Sequence, residues 1–168
     1  RVSDSRARSR AGRRAAGSHT AALAGSDAAV DALFRQAGVL RAETLAELLD
    51  VAALLSSQPA PRGNRVAVIT NAGGLGILCA DACETSGLEL PTLSQETQAR
   101  LAEALPSEAS TANPVDMLGS ATDRQYAAVV PLVLEDPGVD AVIALFVPPV
   151  AVDTLAVGRA ISEAASAS

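Results

Sequence analysis

Hydrophobic residues recur at helical spacing early in the chain. Val30, Leu33 and Phe34 stand three or four positions apart, which predicts an amphipathic helix. Ser26 precedes this stretch and is a typical N-cap residue, while Gly38 follows it as a residue that commonly ends helices.

A second helix is predicted after Thr44. Thr44 and Glu47 have the spacing of a capping box, and leucines recur at helical spacing behind them. Residues 56–64, SSQPAPRGN, then lack periodicity and are rich in proline, glycine and serine. This composition predicts a linker between two units, and we draw its bounds at 59–64.

Beyond the linker, short apolar runs alternate with amphipathic ones. The apolar runs predict strands over 65–70, 88–90 and 140–147, and a loop is predicted over 107–116. The amphipathic runs predict helices over 75–86, 95–105, 122–135 and 152–165. Pro131 lies inside the third of these helices and should kink or shorten it. Strands that alternate with helices on short connections indicate a parallel sheet covered on both faces. We therefore expect an α/β fold, a flavodoxin-like three-layer α/β/α sandwich, over 65–168.

The chain has the features of a piece of a larger protein. Its only methionine is Met117, and its last predicted helix is still under way when the sequence stops. We expect residues 65–168 to form a truncated sandwich and residues 1–58 to be the end of a preceding unit.

Composition and charge narrow the classes of function. The chain is 49% hydrophobic but only 2% aromatic, so its core is expected to consist of aliphatic side chains. Six arginines lie within residues 1–14, yet the net charge of the whole chain is −6 and no aromatic residues are interleaved with the arginines to stack on bases. We expect no nucleic-acid partner. We also expect no membrane partner, because no apolar run approaches the length of a membrane span.

The two cysteines give no sign of a disulfide or a metal site. Cys79 and Cys83 are four residues apart on a predicted helix, and they supply only two of the four ligands that a structural zinc site needs. We interpret them as small core residues, expect no metal site, and take the cytosol as the compartment.

The first candidate site is the segment NAGGLG, residues 71–76, where a predicted strand runs directly into a predicted helix. Gly73 and Gly74 allow positive φ and leave room for backbone N–H groups to surround an anion at the helix N-terminus. No lysine follows, so the segment is not a P-loop. Glycines that only permit close packing of the helix on the sheet explain the pattern equally well.

The second candidate is His19, the only histidine, which lies in the segment GSHTAALAGSD. Its neighbour Ser18 suggests acyl transfer, but no nucleophile-elbow motif is present. A metal site lacks further ligands nearby. The remaining chemistry is an imidazole that carries a group covalently, and a loop of small residues would let the loaded ring move.

Both candidates lie in segments that resemble one family. Residues 18–41, SHTAALAGSDAAVDALFRQAGVLR, closely resemble the segment around the active-site histidine of NDP-forming acyl-CoA synthetases, the acetate–CoA ligases related to succinyl-CoA synthetase. On this resemblance, residues 1–58 end a succinyl-CoA-synthetase-like flavodoxin domain, and residues 65–168 form an incomplete ligase-CoA domain. The likeness continues through 62–90, 93–106 and the NPVD segment 113–116.

The resemblance implies a reaction. An acyl-CoA reacts with phosphate to give CoA and an acyl phosphate, and a histidine, here His19, takes the phosphoryl group and passes it to ADP or GDP. CoA, the ATP/ADP or GTP/GDP pair and Mg²⁺ would be bound with the help of a CoA-binding domain and an ATP-grasp domain outside this chain. Those domains, phosphate and a small carboxylic acid are the expected partners, and the chain alone is expected to be inactive.

The resemblance also implies which residues form the site. Asp116 is placed near it, and Ala21 stands where the family has glycine, at a cost of about 1 kcal/mol if that position needs positive φ. Two of the expected contacts, Ser18 and Thr20, either bond the phosphate or cap the loop. The residues expected to contact phosphate are Ser18, Thr20, Ser26, Asn71, Gly73, Gly74 and Gly76.

A second function remains as an alternative. Bacterial protein lysine acetyltransferases can carry the same synthetase-like region as a non-catalytic regulatory module, in which the histidine can be lost. The presence of His19 favours the enzyme.

Overall fold

The computed structural model describes residues 2–4, 27–150 and 153–167. The chain divides into two compact units, with the boundary between Ala60 and Pro61. His19, Ser18, Thr20 and Ser26 lie outside the described residues, as does Ala21.

The first unit contains two short parallel strands and two helices. They are β1 (Val2–Asp4), α1 (Asp27–Gln36), β2 (Leu40–Ala42) and α2 (Leu45–Ser57), and β1 pairs with β2. Both predicted helices are present. Gly38 adopts φ +66° after α1, and the Thr44 hydroxyl accepts a hydrogen bond of 3.1 Å from the Glu47 N–H at the start of α2.

The linker begins later than its composition suggests, because Ser56 and Ser57 belong to α2. Both serine hydroxyls donate to the Ala53 carbonyl, at 3.0 and 2.8 Å. This local bonding lets polar residues remain helical for one further turn.

The second unit is built around a three-stranded parallel sheet with the strand order β4–β3–β5. This confirms the predicted α/β class. Its elements are β3 (Val66–Thr70), α3 (Gly73–Thr85), α4 (Gln95–Ala104), β4 (Val115–Asp116), α5 (Asp123–Leu134), β5 (Ala141–Leu145) and α6 (Thr154–Ala167).

Strand β3 is the centre of the sheet, and all five of its residues are buried. Its β-branched sequence suits a strand that is covered on both faces. Ile69 lies opposite Val115 of β4 on one side and Ala144 of β5 on the other. The largest fully buried side chains around it include Leu101, Met117, Tyr126, Val129 and Val133.

The segments that bond to β3 on the side opposite β5 differ from those predicted from the sequence. The strand predicted over 88–90 is a single bridge, in which Val66 N–H donates to the Glu89 carbonyl at 2.7 Å. The loop predicted over 107–116 contains β4. Between these two segments the Asn113 side chain takes the place of a strand, since it accepts from Val68 N–H at 3.0 Å and donates to the Val66 carbonyl at 2.9 Å.

The remaining helices follow their predicted caps. Ser94 accepts from Thr97 N–H at the start of α4, and Thr122 and Gln125 form the capping box of α5. Helix α5 continues through Pro131 to Leu134, close to its predicted end. Within the described residues, no helix is both long and apolar enough to cross a membrane.

An ion pair joins the amino ends of β3 and β5. Arg65 binds both carboxylate oxygens of Asp140, with Nε–Oδ2 and Nη2–Oδ1 distances of 2.9 and 2.8 Å, and its backbone N–H donates to Oδ2 at 3.1 Å. The hydrogen bonds from Arg65 lower the pKa of Asp140 from 3.8 to about 2. The ionised carboxylate therefore stabilises the folded state.

This pair predicts a specific acid sensitivity. The pKa of Asp140 is lower in the folded state, so its stabilising effect is present above about pH 4 and is lost as the pH falls towards about 2. We expect Asp140→Asn to lower the melting temperature at pH 7 and to flatten its dependence on pH within that window.

Thermal unfolding by circular dichroism at a series of pH values measures this effect. Glu135→Gln is the matched control, because Glu135 pairs with Arg100 at 3.1 Å while 56% of its side chain is exposed, against 9% for Asp140. Equal acid profiles for Asp140→Asn and the unsubstituted chain would contradict the assignment.

Candidate functional site

The carboxyl ends of the three parallel strands meet at one edge of the second unit. A cleft of about 290 Å³ lies at this edge. Ligands of parallel α/β sheets bind in such crevices, outside the carboxyl ends of the strands. The cleft is lined by Asn71, Ala72, Gly119, Val147, Pro148 and Pro149.

The turn between β3 and α3 is fixed by Thr70. Its hydroxyl accepts from the Ala72 N–H at 3.0 Å and donates to the Ala72 carbonyl at 3.2 Å. Ala72 has extended geometry, with φ −141°, and is the N-cap of α3. The change of direction therefore occurs at Ala72.

The two glycines that follow are helical. Helix α3 begins at Gly73, two residues before its predicted start. Gly73 and Gly74 do not use the positive φ that glycine allows, because among the described glycines only Gly38 and Gly87 have it. With the extended residue at Ala72, no left-handed residue is required in this turn.

Helix α3 presents two free backbone donors. The N–H groups of Leu75 and Gly76 both bond to the Ala72 carbonyl, at 2.9 and 3.1 Å. The N–H groups of Gly73 and Gly74 have no acceptor among the described residues. They carry the partial positive charge of the helix N-terminus, which favours an anion.

The glycines of this turn differ in the space around them. A Cβ on Gly73 would lie 2.5 Å from Asp116 Oδ2, and one on Gly76 would lie 3.0 Å from Thr70 Cγ2. A Cβ on Gly74 would meet nothing within 4 Å. Gly73 and Gly76 therefore permit close packing, whereas Gly74 has open space beside it.

Asn71 joins the ends of two strands. Its buried side chain donates to the Val147 carbonyl and accepts from the Val147 N–H, both at 2.8 Å. The amide group thus holds the segment after β5 against the end of β3 and shapes one wall of the cleft. A contact between Asn71 and phosphate stays a prediction.

Asp116 lies at the same helix end. Its Oδ1 accepts from the Leu118 N–H at 3.0 Å, and Leu118 has a positive φ of 70°. Such backbone geometry is uncommon outside glycine and is concentrated at functional sites. Its Oδ2 lies against Gly73, so the structure brings together Asp116 and the predicted glycines.

Tyr126 holds the end of β5, and the sequence analysis did not identify it. Its hydroxyl donates to the Leu145 carbonyl at 2.6 Å, and burial raises the pKa of Tyr126 above its usual value. The residue stays neutral and holds the end of β5. The only signal in the sequence was that Tyr126 is the single tyrosine of the chain.

Four of the lining residues were also missed. Gly119 follows β4, and Val147, Pro148 and Pro149 follow β5. Their signal was their position directly after strands of a parallel sheet, where binding crevices form.

The cysteines do not join the site. Cys83 is buried, and burial raises the pKa of the Cys79 thiol one helical turn away. In the part of the chain that the structure describes, no three His, Cys, Asp or Glu residues are grouped to hold a metal.

The two units match two family models. Residues 5–55 match the succinyl-CoA ligase like flavodoxin domain, and residues 66–167 match the Ligase-CoA domain.

Known proteins are similar to this chain in sequence. The chain is 47% identical over 142 residues to the alpha subunit of ADP-forming acetate–CoA ligase II of Pyrococcus furiosus, covering 84% of the chain and 31% of the relative. It is 40% identical over 148 residues to ADP-forming acetate–CoA ligase I of Archaeoglobus fulgidus, covering 88% and 21%.

A solved structure is similar to this chain in both sequence and fold. The dinucleotide forming acetyl-coenzyme A synthetase 1 of Ca. Korarchaeum cryptofilum, in complex with phosphate and ADP, superposes with a TM-score of 0.87 at 32% identity. The match covers 99% of this chain and 36% of that one. The chain thus spans 21% to 36% of the length of these three proteins.

The geometry around α3 predicts opposite responses to one substitution at two sites. We expect the free energy of unfolding of Gly76→Ala to be about 1–3 kcal/mol lower than that of Gly74→Ala, because the new methyl group at residue 76 presses on the buried, hydrogen-bonded Thr70. Gly74→Ala has open space and gains helix propensity.

Urea unfolding of the two variants measures the difference. Both carry the same added methyl group in the same helix, so each controls for the other. Equal stabilities would show that α3 does not pack on β3 as closely as described.

The bond between Asn71 and Val147 predicts a second stability effect. Asn71→Asp keeps the acceptor for the Val147 N–H but places an oxygen against the Val147 carbonyl. We expect a loss of about 1–3 kcal/mol in the free energy of unfolding at pH 7. Asn64→Asp, at an exposed amide, is the control in the same urea titration, and an equal loss there would contradict the assignment.

Proposed function

The chain belongs to the family of NDP-forming acyl-CoA synthetases, and we propose that in the full-length protein it carries the phosphoryl relay of an acid–CoA ligase. The reaction interconverts acyl-CoA, NDP and phosphate with a carboxylic acid, CoA and NTP. The two relatives named above are ADP-forming acetate–CoA ligases, which supports the proposed class of reaction.

The relay divides the reaction into three balanced steps. A phosphate oxygen attacks the thioester carbonyl, so the C–S bond breaks and CoA leaves as its thiol or thiolate. The His19 imidazole then attacks the phosphorus of the acyl phosphate, and the carboxylate leaves. An oxygen of the NDP terminal phosphate finally attacks the phosphohistidine, which restores the imidazole and forms NTP.

The open donors of α3 are the observation that carries this proposal. Gly73 and Gly74 offer two unpaired N–H groups beside the cleft, at a helix N-terminus. A phosphoryl group brings a charge of about −1.5 to −2 near neutral pH. The proposed role of these amides is to bind the phosphoryl group during the relay.

The cleft suits an anion that must leave again. None of the six described residues that line it is cationic. A helix N-terminus contributes about 0.3–1 kcal/mol to anion binding where it is exposed. Amide donors without a lysine or arginine therefore hold a phosphoryl group weakly, as a relay requires.

The other components are assigned to the rest of the protein. Under the proposal, a CoA-binding domain and an ATP-grasp domain or subunit complete the enzyme and bind CoA, the nucleotide and its Mg²⁺. The chain alone would then lack ligase activity. The cleft, with its apolar Val147 and Pro148, is the place proposed here for the reacting end of the acid.

Phosphohistidine labelling tests the proposal. The full-length protein is incubated with Mg²⁺ and ATP labelled at its terminal phosphate, and incorporation into the protein is measured. We expect a label that is lost in acid and kept in alkali, as for a phosphohistidine. His19→Asn should abolish the label, and Asp81→Asn, at an exposed position outside the predicted phosphate contacts, should retain it.

Two outcomes would contradict the proposed relay. A label that survives acid and is lost in alkali would indicate a hydroxyl ester and contradict the relay. Absence of any label, in conditions where the Archaeoglobus fulgidus ligase is labelled, would do the same.

A further inference from the structure

The wall of the cleft that follows β5 offers a ligand no backbone donor. The Val147 N–H and carbonyl are both bonded to the Asn71 side chain, each at 2.8 Å. Pro148 and Pro149 have no N–H group. Asn71 itself is buried, with only 3% of its surface exposed. This wall therefore presents mainly hydrocarbon to a ligand.

Ala72, another lining residue, is also bonded through both of its backbone groups. Its N–H donates to the Thr70 hydroxyl at 3.0 Å, and its carbonyl accepts from the N–H groups of Leu75 and Gly76. The cleft, of about 290 Å³, lies close to the lower end of the volumes of small-molecule pockets, which are mostly apolar. A carboxylate that entered it would lose water without finding a donor on these residues.

Gly119 leaves the cleft open on the side of β4. The preceding residue, Leu118, is fixed by the bond from its N–H to Asp116 at 3.0 Å. A Cβ on Gly119 would meet only the Asn71 carbonyl oxygen, at 4.0 Å. Gly119 does not have a positive φ, so its backbone accepts other residues. A larger side chain would therefore fit the backbone and occupy space in the cleft.

We propose that the cleft binds the hydrocarbon chain of the acid and that Gly119 determines which chains fit. The inference rests on the proposed function, which brings the reacting end of the acid to this cleft. The carbon atoms attached to that end lie against Val147 and Pro148, and the absence of a side chain at residue 119 leaves them room. A dicarboxylic acid would place its second charge against a wall without donors.

Two acids of equal chain length test the wall. In the full-length protein, the formation of acyl-CoA from ATP, Mg²⁺ and CoA is measured with butyrate and, separately, with succinate. We expect kcat/KM to be at least about a hundredfold higher for butyrate, because the second carboxylate of succinate would be desolvated without a donor. Equal values for the two acids would contradict the inference.

Gly119→Val tests the role of residue 119. The added side chain narrows the cleft, so we expect KM for butyrate to rise about tenfold while KM for acetate and kcat stay nearly unchanged. Gly158→Val is the matched control, because Gly158 is exposed on α6 and a Cβ there meets nothing within 4 Å. This control should leave both KM values unchanged.

A binding measurement that needs no catalysis accompanies the assay. The 168-residue chain, labelled with ¹⁵N, is titrated with butyramide, an uncharged amide with the hydrocarbon chain of butyrate. We expect the Gly119 and Val147 amide resonances to shift, and Gly119→Val to reduce the shift of Val147. Acetamide, which carries the same amide group on a shorter chain, should shift both resonances less.

The outcomes distinguish this inference from the function on which it rests. If butyramide leaves both resonances unchanged, or if Gly119→Val raises KM for acetate and butyrate equally, the role of the cleft is wrong and the phosphohistidine label still decides the relay. If His19 takes no label and no acid is converted, the proposed function fails and the inference fails with it. Should Gly119→Val not fold, Gly119→Ala decides the comparison of acetate with butyrate.

Discussion

A strand that is buried on both faces must pair each of its backbone N–H and C=O groups, and β3 satisfies this requirement in an unusual way. On one side it pairs with β5 along its full length. On the other side it is completed by the Glu89 backbone, the Asn113 side chain and the two residues of β4. The candidate site depends on this pairing, because β4 ends with Asp116.

The same strand positions the other wall of the site. β3 ends at Thr70, whose hydroxyl shapes the turn into α3, and the next side chain, Asn71, holds the segment that follows β5. The donors of α3, the carboxylate of Asp116 and the cleft thus converge at the end of one strand. A phosphoryl relay needs such convergence, since weak donors act together only where their geometry is fixed.

Much of the fold could be predicted because its signals are local. Capping residues such as Thr122 fixed the start of a helix, and the β-branched run of β3 marked the central strand. Asn113 could not be assigned in this way. Its side chain bonds to β3, far away in sequence, in the way that a peptide group of a neighbouring strand would. Nothing in the segment NPVD distinguishes that role from an ordinary turn.

The site could be predicted only in part, because only some of its signals are local. A strand followed by glycines and a helix is a local pattern, and it indicated the anion-binding end of α3. The start of α3 was placed too late, because glycine is a poor helix former and the extended geometry of Ala72 could not be foreseen. The approach of Asp116 to Gly73 depends on the sheet register, which is a tertiary property.

The peptide-like bonding of Asn113 has a consequence for how this region can vary in length. Successive side chains of a strand point to opposite faces, so a change of one residue between Asn113 and Asp116 would turn the carboxylate away from α3. Ser110 is also tied to this region, because it exchanges two backbone hydrogen bonds with Asp116. Insertions and deletions among homologous chains should therefore concentrate ahead of Ser110, leaving the three-residue step from Asn113 to Asp116 constant.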